Sequence, residues 1–512
     1  MKKFKIVIIV LLCLAFAMTF AACAKNEEKK PDEGATTAAA DGDKGAETTE
    51  AVKDPDAPDI PPLDMSGRTF TFLTSNWGND ANLSADVGAE EDSDDPIYDA
   101  AYKRRIKIEE TYNVKIRQFV VADPKEATAT YQKTIQAGDK SYDVGITTCS
   151  SFASLLTGNF LVDWKNLTYA DMDKPYWNKN FYDSMSIMGR HFAADGDISK
   201  RRLECTWIMC FNKQMIADNV FDSPYDLVKN GKWTYEKMHE MAKKVARDVN
   251  GDGKMRRQDD DIWGINYTGD TIMGIINCCG VKIAEVNKEG IPEFTINSEV
   301  NINKLFRIYT DMRDNTYSID TLFAPGADVG AFADAELFGQ NKCLFLACAS
   351  HNISQMREGD TTDYGLRAME GDFGIIPYPK WDEAQDKYMP HTAGNYHPVM
   401  HIPQTNEDLD ATGIILEAMS YEGMKTIKPA FYESLLKTKT ARDSESAEML
   451  DFIFGNLSYD IGNMYNFGEI TGVFGYQMST NPKANIVSTV EKNIGKWQKA
   501  IDDIVAGIEN NG

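Results

Sequence analysis

The sequence predicts an α/β fold built on a parallel sheet, because strand-like and helix-like patterns alternate at the start of its folded part. Residues 69–74, 114–121 and 142–147 have the alternating or apolar pattern of β-strands, and helical patterns separate them. Such alternation requires right-handed crossovers and a parallel sheet. About 445 residues follow a polar N-terminal segment, which is too many for one hydrophobic core. Two lobes are therefore expected.

The first of these helices has recognisable ends. Asp95 is a favourable N-cap residue, and Pro96 suits the first helical position. Asn113 can adopt the left-handed conformation that ends a helix, so a helix is predicted between these points. Ligands of parallel sheets bind beyond the carboxyl ends of the strands, where this chain has the loops 75–80 and 149–154.

The N-terminus predicts export and membrane anchoring. Residues 1–22 form a signal peptide, with lysines, an apolar run and small residues in that order. It ends in "FAAC", which resembles a bacterial lipobox, so cleavage before Cys23 would leave a lipid-modified cysteine. Two or three acyl chains hold a protein stably on a membrane, here at its extracellular face. The alternative is an ordinary cleaved signal with an incidental cysteine.

Residues 23–62 are predicted to form a disordered tether, because they contain few large apolar residues. Three of the 54 basic residues lie in the leader, so the mature chain has 51 basic and 78 acidic residues and a net charge of −27. This charge argues against binding to nucleic acid or anionic lipid. The remaining cysteines show no disulfide spacing and are predicted to be buried small side chains.

A series of segments resembles a known family. In order, they are "YDVGI", "TWIMCFNKQMI", "GKWTYEKMHEMAKKVA", "AFADAELFGQNKCLFLACASHNI", "GDFGIIPYPK" and "TAGNYHPVMHIPQTNEDLDATGIILEAMSYEG". Together they resemble the family 1 extracellular solute-binding lipoproteins of ABC importers, the maltose-binding-protein-like group that takes up carbohydrates. The resemblance covers roughly residues 67–505.

This resemblance implies a two-lobed periplasmic-binding-protein type 2 fold, with a hinge and a ligand cleft between the lobes. Lobe 1 would comprise residues 67–197 and 375–422, and lobe 2 residues 198–374 and 423–505. The chain would cross near 198, 374 and 422, and closure would trap the ligand. The function that the resemblance implies is capture of a small solute, an oligosaccharide in this family, for an ABC permease, without catalysis.

Aromatic and polar side chains at the predicted sheet edges are the candidate ligand contacts. Aromatic rings can stack on sugar C–H groups, while polar groups bind hydroxyls. Asn76 and Trp77 follow the first strand, and the comparison with the family adds further positions: Ser150, Ser151, Tyr267, Asp270, Ser350, His351, Asn395 and Tyr396. The family often has a tryptophan near position 351. For any one aromatic residue, a core position is the alternative, and Trp177, Trp233 and Trp263 are assigned to packing.

The segment "DVNGDGKMRRQD" (248–259) predicts a calcium loop. Its oxygen ligands would come from alternate positions, with Gly253 making the sharp turn. The predicted ligands are Asp248, Asn250, Asp252, Asp259 and the backbone carbonyl of Lys254. Only one predicted helix flanks the loop, which favours a structural Ca²⁺ site over a sensor or a docking module. A metal-free turn rich in Asp and Asn is the alternative.

Two other classes of function remain open: an anchored carbohydrate-active enzyme and a lectin or adhesin. Nothing marks one catalytic carboxylate pair, and no nucleophile elbow, P-loop or dinucleotide motif is present in the sequence. His391, His397 and His401 could suggest zinc. Pro398 prevents a regular helix there, however, so a strand and a turn are predicted instead.

Overall fold

The computed structural model describes residues 54–76, 87–90, 95–321, 333–354, 366, 369, 371–436, 444–481 and 483–510. The signal peptide, Cys23, most of the tether and Trp77 lie outside these residues. Among the described residues, no helix is both long and apolar enough to cross a membrane. Residues 54–510 belong to one compact unit.

The strands are β1 (Arg68–Ser75), β2 (Val114–Val121), β3 (Val144–Thr148), β4 (Trp207–Asn212), β5 (Trp263–Tyr267), β6 (Ala284–Val286), β7 (Pro292–Phe294), β8 (Ser318–Asp320), β9 (Cys343–Ala349), β10 (Phe373–Ile376) and β11 (Pro398–His401). The first sheet has the order β11-β3-β1-β2, and the second has the order β10-β4-β9-β5-β8. β1 is parallel to β2 and β3, which confirms the parallel arrangement, and β11 joins antiparallel to β3.

The helices of the N-terminal half are α1 (Pro96–Tyr112), α2 (Pro124–Gln136), α3 (Cys149–Phe152), α4 (Lys179–Ser184), α5 (Arg201–Glu204), α6 (Lys213–Asp218), α7 (Pro224–Lys229), α8 (Tyr235–Val245) and α9 (Gly269–Cys278). Those that follow are α10 (Glu299–Met312), α11 (Ala333–Gly339), α12 (His351–Ser354), α13 (Leu409–Lys425), α14 (Ile427–Leu436), α15 (Ser444–Gly455), α16 (Ile461–Met464), α17 (Met478–Thr480) and α18 (Ile486–Glu509). A π-helical segment, Gly472–Gln477, precedes α17.

The local signals around α1 are confirmed. The Asp95 carboxylate accepts hydrogen bonds from the first turn, and Asn113 ends the helix with φ 46° and ψ 52°. Trp177, Trp233 and Trp263 are buried, as predicted. The seven cysteines of the described residues are also buried, as predicted.

Two antiparallel chain segments connect the sheets. Ala194 pairs with Met400 beside the first sheet, and Thr206 pairs with Thr392 beside the second. The short helix α5 lies between the two pairings on one segment. The first predicted crossing, near residue 198, lies within this region.

The predicted crossing near 374 is wrong, because it lies inside β10 of the second sheet. After β10, Tyr378, Tyr388 and Ala393 still pack in the second sheet's core. The chain joins the first sheet only at β11. The two prolines after β10 end the strand but do not take the chain to the other lobe.

The C-terminal part also differs from the predicted lobe boundaries. Helix α13 runs to Lys425, and α14 then packs with the second sheet. Ile501, Ile504 and Ile508 of α18 pack with the first sheet, whereas Trp497 packs with the second. This helix therefore contacts both lobes.

The last residues of the predicted tether make defined contacts. Asp54 accepts hydrogen bonds from Tyr421 (2.6 Å) and Lys425 (2.9 Å) of α13. Lys174 donates to the carbonyl of Ala57 (2.9 Å), and Ile60 packs against the core of the first sheet. Residues 54–62 are therefore part of the folded body, which composition alone did not indicate.

Candidate ligand-binding site

Several of the predicted ligand residues lie at strand ends and in the turn that joins the lobes. Ser150 and Ser151 follow β3, His351 follows β9, and Tyr396 lies in the turn before β11. The Ser150 N–H donates to the carbonyl of Gly394 at 3.1 Å. The carboxyl end of the first sheet is thus joined directly to the turn between the lobes.

Three of these residues form one group, which we call the cleft triad: Asp270, His351 and Tyr396. The Tyr396 hydroxyl lies 3.4 Å from a carboxylate oxygen of Asp270, and the rings of Tyr396 and His351 lie 6.5 Å apart. All three side chains are partly exposed. Burial raises the pKa of Asp270, and the hydrogen bond from Tyr396 partly opposes this shift. The group combines aromatic surface with a carboxylate acceptor.

Ser150 and Ser151 line a separate open cavity of about 530 Å³. The Thr148 hydroxyl donates to Ser151 Oγ at 3.0 Å. Further lining residues come from α2 and from the turn after α16: Lys125, Gln132, Tyr465, Asn466, Gly468 and Glu469. Serine, amide and carboxylate groups around an open cavity suit a ligand with many hydroxyl groups.

The turn beside this cavity has an unusual backbone that the sequence did not reveal. Asn466, Gly468 and Glu469 all have positive φ, at 48°, 58° and 65°. Asn466 stabilises the turn by accepting from the Thr471 N–H at 2.9 Å. Non-glycine residues in this region are strained and concentrate at functional sites.

The π-helical segment 472–477 is a second feature that sequence patterns did not mark. It packs against α9, where the carbonyl of Gly269 lies 3.2 Å from a Cβ built on Gly475. The next residue, Tyr476, is 54% exposed. π-Helical turns are frequent at functional sites, and this one lies next to the helix that carries Asp270.

The structure does not bring every predicted residue to the site. Tyr267 is buried in the core of the second sheet, and the fully buried Ser350 donates to the carbonyl of Leu203. Neither side chain therefore faces an open cleft. Asn76 is half-buried, and its N–H donates to Val121, extending the pairing of β1 with β2. Asn395 is half-buried beside Tyr396, and Trp77 lies outside the described residues.

Sequence reasoning also missed a buried ionic group behind His351. Glu204 lies 3.0 Å from Lys200 and 3.2 Å from Arg201. Burial would raise the pKa of Glu204, but the two cations outweigh it and lower that pKa to about 2. The Glu204 carbonyl lies 3.3 Å from His351 Nδ1. The charge run "SKRRLE" was the available signal.

The three clustered histidines contact separate partners. His391 Nδ1 donates to the Ser458 carbonyl at 2.7 Å, and His401 Nε2 lies 3.2 Å from the Thr147 hydroxyl. His397 Nε2 lies 3.2 Å from an Asp195 oxygen. The predicted turn and strand are confirmed, because β11 begins at Pro398.

The 248–259 loop folds tightly around the carboxylate of Asp248. Gly251 and Gly253 have positive φ, and their N–H groups donate to the Asp248 carboxylate at 2.8 and 2.7 Å. The buried Asp261 accepts from the Val249 N–H at 2.8 Å and so closes the loop. The turn predicted at Gly253 is therefore present.

The predicted side-chain ligands of the loop are engaged by an arginine. Arg256 bridges two of the predicted ligands, at 2.7 Å from Asp252 and 2.6 Å from Asp259. Over the part of the chain that the structure describes, no three His, Cys, Asp or Glu residues are grouped to hold a metal. Calcium binding would require the two carboxylates to exchange Arg256 for the ion.

No family model matches the sequence. No curated protein matches it either.

Solved structures do match the fold. The maltose/maltodextrin-binding domain MalE from Bdellovibrio bacteriovorus, bound to maltotriose, is 13% identical with a TM-score of 0.52 over 85% of this chain and 99% of its own. A Thermotoga lettingae ABC transporter solute-binding protein with α-D-tagatose is 11% identical, with a TM-score of 0.51 over 86% and 100%. Mycobacterium tuberculosis UgpB with glycerophosphocholine is 13% identical, with a TM-score of 0.52 over 81% and 98%.

These likenesses establish a two-lobed periplasmic-binding-protein type 2 fold for most of the chain. The fold class that the sequence segments implied is therefore confirmed.

Proposed function

We propose that this chain, which has the fold of ABC importer binding proteins, captures a small solute outside the cell and delivers it to an ABC permease. The main support for this proposal is the cleft triad, Asp270, His351 and Tyr396. Its residues come from three distant parts of the chain. Closure of the two lobes around the ligand would follow from its tighter binding to the closed form.

An oligosaccharide is the ligand class that we propose. Aromatic rings can cover the apolar face of a sugar, while the Asp270 carboxylate and the serines of the neighbouring cavity can bind its hydroxyls. MalE, which has a similar fold, was solved with maltotriose. Because UgpB was solved with glycerophosphocholine, the ligand panel should include that compound.

Replacing Tyr396 with alanine should weaken ligand binding about tenfold or more, because it removes a ring and a hydroxyl from the cleft triad (tenfold corresponds to about 1.4 kcal/mol). Calorimetry against maltotriose, tagatose, glycerophosphocholine and a tripeptide would measure this. Tyr142→Ala is the control, because Tyr142 is also half-buried but lies near the amino end of β3. Equal affinity in both variants would exclude Tyr396 as a contact.

We also propose that Cys23 carries the lipid anchor, on the basis of "FAAC" behind a basic and apolar leader. Replacing Cys23 with alanine should move the protein from the membrane fraction to the medium, because the acyl chains provide the attachment. Cell fractionation and immunoblotting would detect the change. A variant that stays fully in the membrane fraction would contradict lipidation at this residue.

The 248–259 loop is proposed as a structural calcium site with modest affinity. Calcium at ten times its Kd should stabilise the native protein by about 1.4 kcal/mol, because it binds the folded state. Melting temperatures with calcium and with chelator should differ in the wild type but not in Asp252→Ala. The melting temperature of Arg256→Gln should rise at lower calcium concentrations than that of the wild type, since Arg256 competes with calcium for the carboxylates of Asp252 and Asp259. An equal response of Asp252→Ala and wild type would place the site elsewhere.

A further inference from the structure

Buried charges occupy the first crossing between the lobes. Asp195, Asp197 and Arg202 are 4%, 2% and 8% exposed, respectively. The Arg202 guanidinium forms an ion pair with Asp197, and its Nε lies 3.8 Å from a carboxylate oxygen of Asp195. Arg202 belongs to α5, the turn of helix inserted between the two pairings of the crossing segments. The three residues form what we call the hinge cluster.

The hinge cluster also contacts both other crossings. His397, on the second crossing, places Nε2 3.2 Å from Asp195 Oδ2. Lys428, at the start of α14 just after the third crossing, places Nζ 3.2 Å from Asp197 Oδ2. All three chain connections between the lobes therefore meet at two buried carboxylates.

Such a cluster strongly constrains the relative positions of the three chain connections. A buried carboxylate needs its cation close by, and loss of one partner leaves an uncompensated charge. Burial disfavours the charged form of Arg202, yet the two carboxylates outweigh this and raise its pKa. The planar guanidinium holds its acceptors in defined directions, which lysine cannot do. A change in the angle between the crossings would alter these contacts.

We propose that Arg202 is a positioning residue that couples the three crossings through Asp195 and Asp197, and so sets the angle between the lobes. The ion pairs of Arg202 are with Asp195 and Asp197 and not with the cleft triad. Its effect on affinity would come through the open–closed equilibrium. This inference rests on the proposed function, in which the lobes close around a ligand.

The test measures the distance between the lobes without a ligand. Spin labels at Lys115→Cys of β2 and Glu240→Cys of α8 would be placed in the Cys23→Ala protein, where the described native cysteines are all buried. Double electron–electron resonance should show a shifted mean or a broader distribution in Arg202→Met.

Arg307→Met is the matched control for this measurement. Arg307 also pairs with two carboxylates, Glu236 and Asp311, but all three lie in the second lobe and away from the crossings. This variant should keep the wild-type distance distribution even if its melting temperature falls. A purely structural role of Arg202 would make the two variants alike.

A folded Arg202→Met protein with the wild-type distance distribution would overturn the proposal. If Arg202→Met does not fold, Lys428→Met removes only the contact to the third crossing, at a side chain that is 33% exposed. An unchanged distribution in that variant would equally overturn the coupling. Because no ligand is used, failure here is distinguishable from failure to bind an oligosaccharide, which the calorimetry measures.

Discussion

Replacing Gly423 with alanine should destabilise the protein by about 3 kcal/mol or more, because the new methyl group meets backbone that cannot easily move. A Cβ built at this position lies 2.0 Å from the carbonyl oxygen of Asp197. The glycine thus permits close contact between α13 and the first crossing. Urea unfolding followed by circular dichroism would measure the change in the free energy of unfolding.

Gly495→Ala is the matched control for this substitution. Gly495 also lies inside a long helix, α18, but nothing lies within 4 Å of a Cβ built there. Alanine should therefore stabilise this variant by up to about 1 kcal/mol through helix propensity. If both substitutions changed stability in the same direction, close packing would not explain the glycine at 423.

Acid should destabilise the protein strongly, beginning below about pH 6.5, because three histidines are buried in their neutral form. Burial lowers the pKa of His239 to about 3, of His391 to about 4 and of His401 to about 3. The unfolded chain binds protons near pH 6.5, whereas the folded protein binds them only at much lower pH. Each histidine should therefore cost about 2 kcal/mol at pH 5 relative to pH 8.

Asp460 acts in the opposite direction. Burial raises the pKa of Asp460 to about 6, although backbone N–H groups of Asn463 and Ile283 oppose this shift. Because its folded pKa is raised, Asp460 contributes stability below its unfolded pKa near 3.8, and this is lost as pH rises through 6. When the pH falls from 7 to 5, Asp460 therefore increases the free energy of unfolding by about 1 kcal/mol. This gain is smaller than the decrease in stability that the three histidines cause.

The histidine contribution can be measured with His401→Gln. Between pH 5 and pH 6, the dependence of unfolding free energy on pH should fall by about 1.4 kcal/mol per pH unit, because one proton fewer is bound on unfolding. The comparison of the two proteins at pH 8 gives the cost of the substitution itself. A variant with the same pH dependence as the wild type would show that His401 does not titrate differently on unfolding.

Much of the local structure could be predicted from short-range chemistry. Asp95 and Asn113 bound α1 because a carboxylate satisfies free N–H groups and asparagine tolerates positive φ. The alternation of strand and helix patterns along the chain predicted that β1, β2 and β3 are parallel. The candidate site was only partly predictable: Asp270, His351 and Tyr396 do come together, whereas Tyr267 and Ser350 are buried. Periodicity shows that a strand is present but does not show which of its faces the core will cover.

The sequence by itself determined the caps, the strand–helix alternation and the turn at Gly253, since each depends on contacts within a few residues. Only the tertiary structure decided where the chain crosses between lobes, because residues 377–393 remain on the second sheet through packing with distant residues. It alone revealed why Gly423 lies inside α13 and why Arg202 lies beside Asp197. Close backbone contacts and the pairing of buried charges involve segments that are far apart in the chain. Patterns within a few residues therefore cannot predict them.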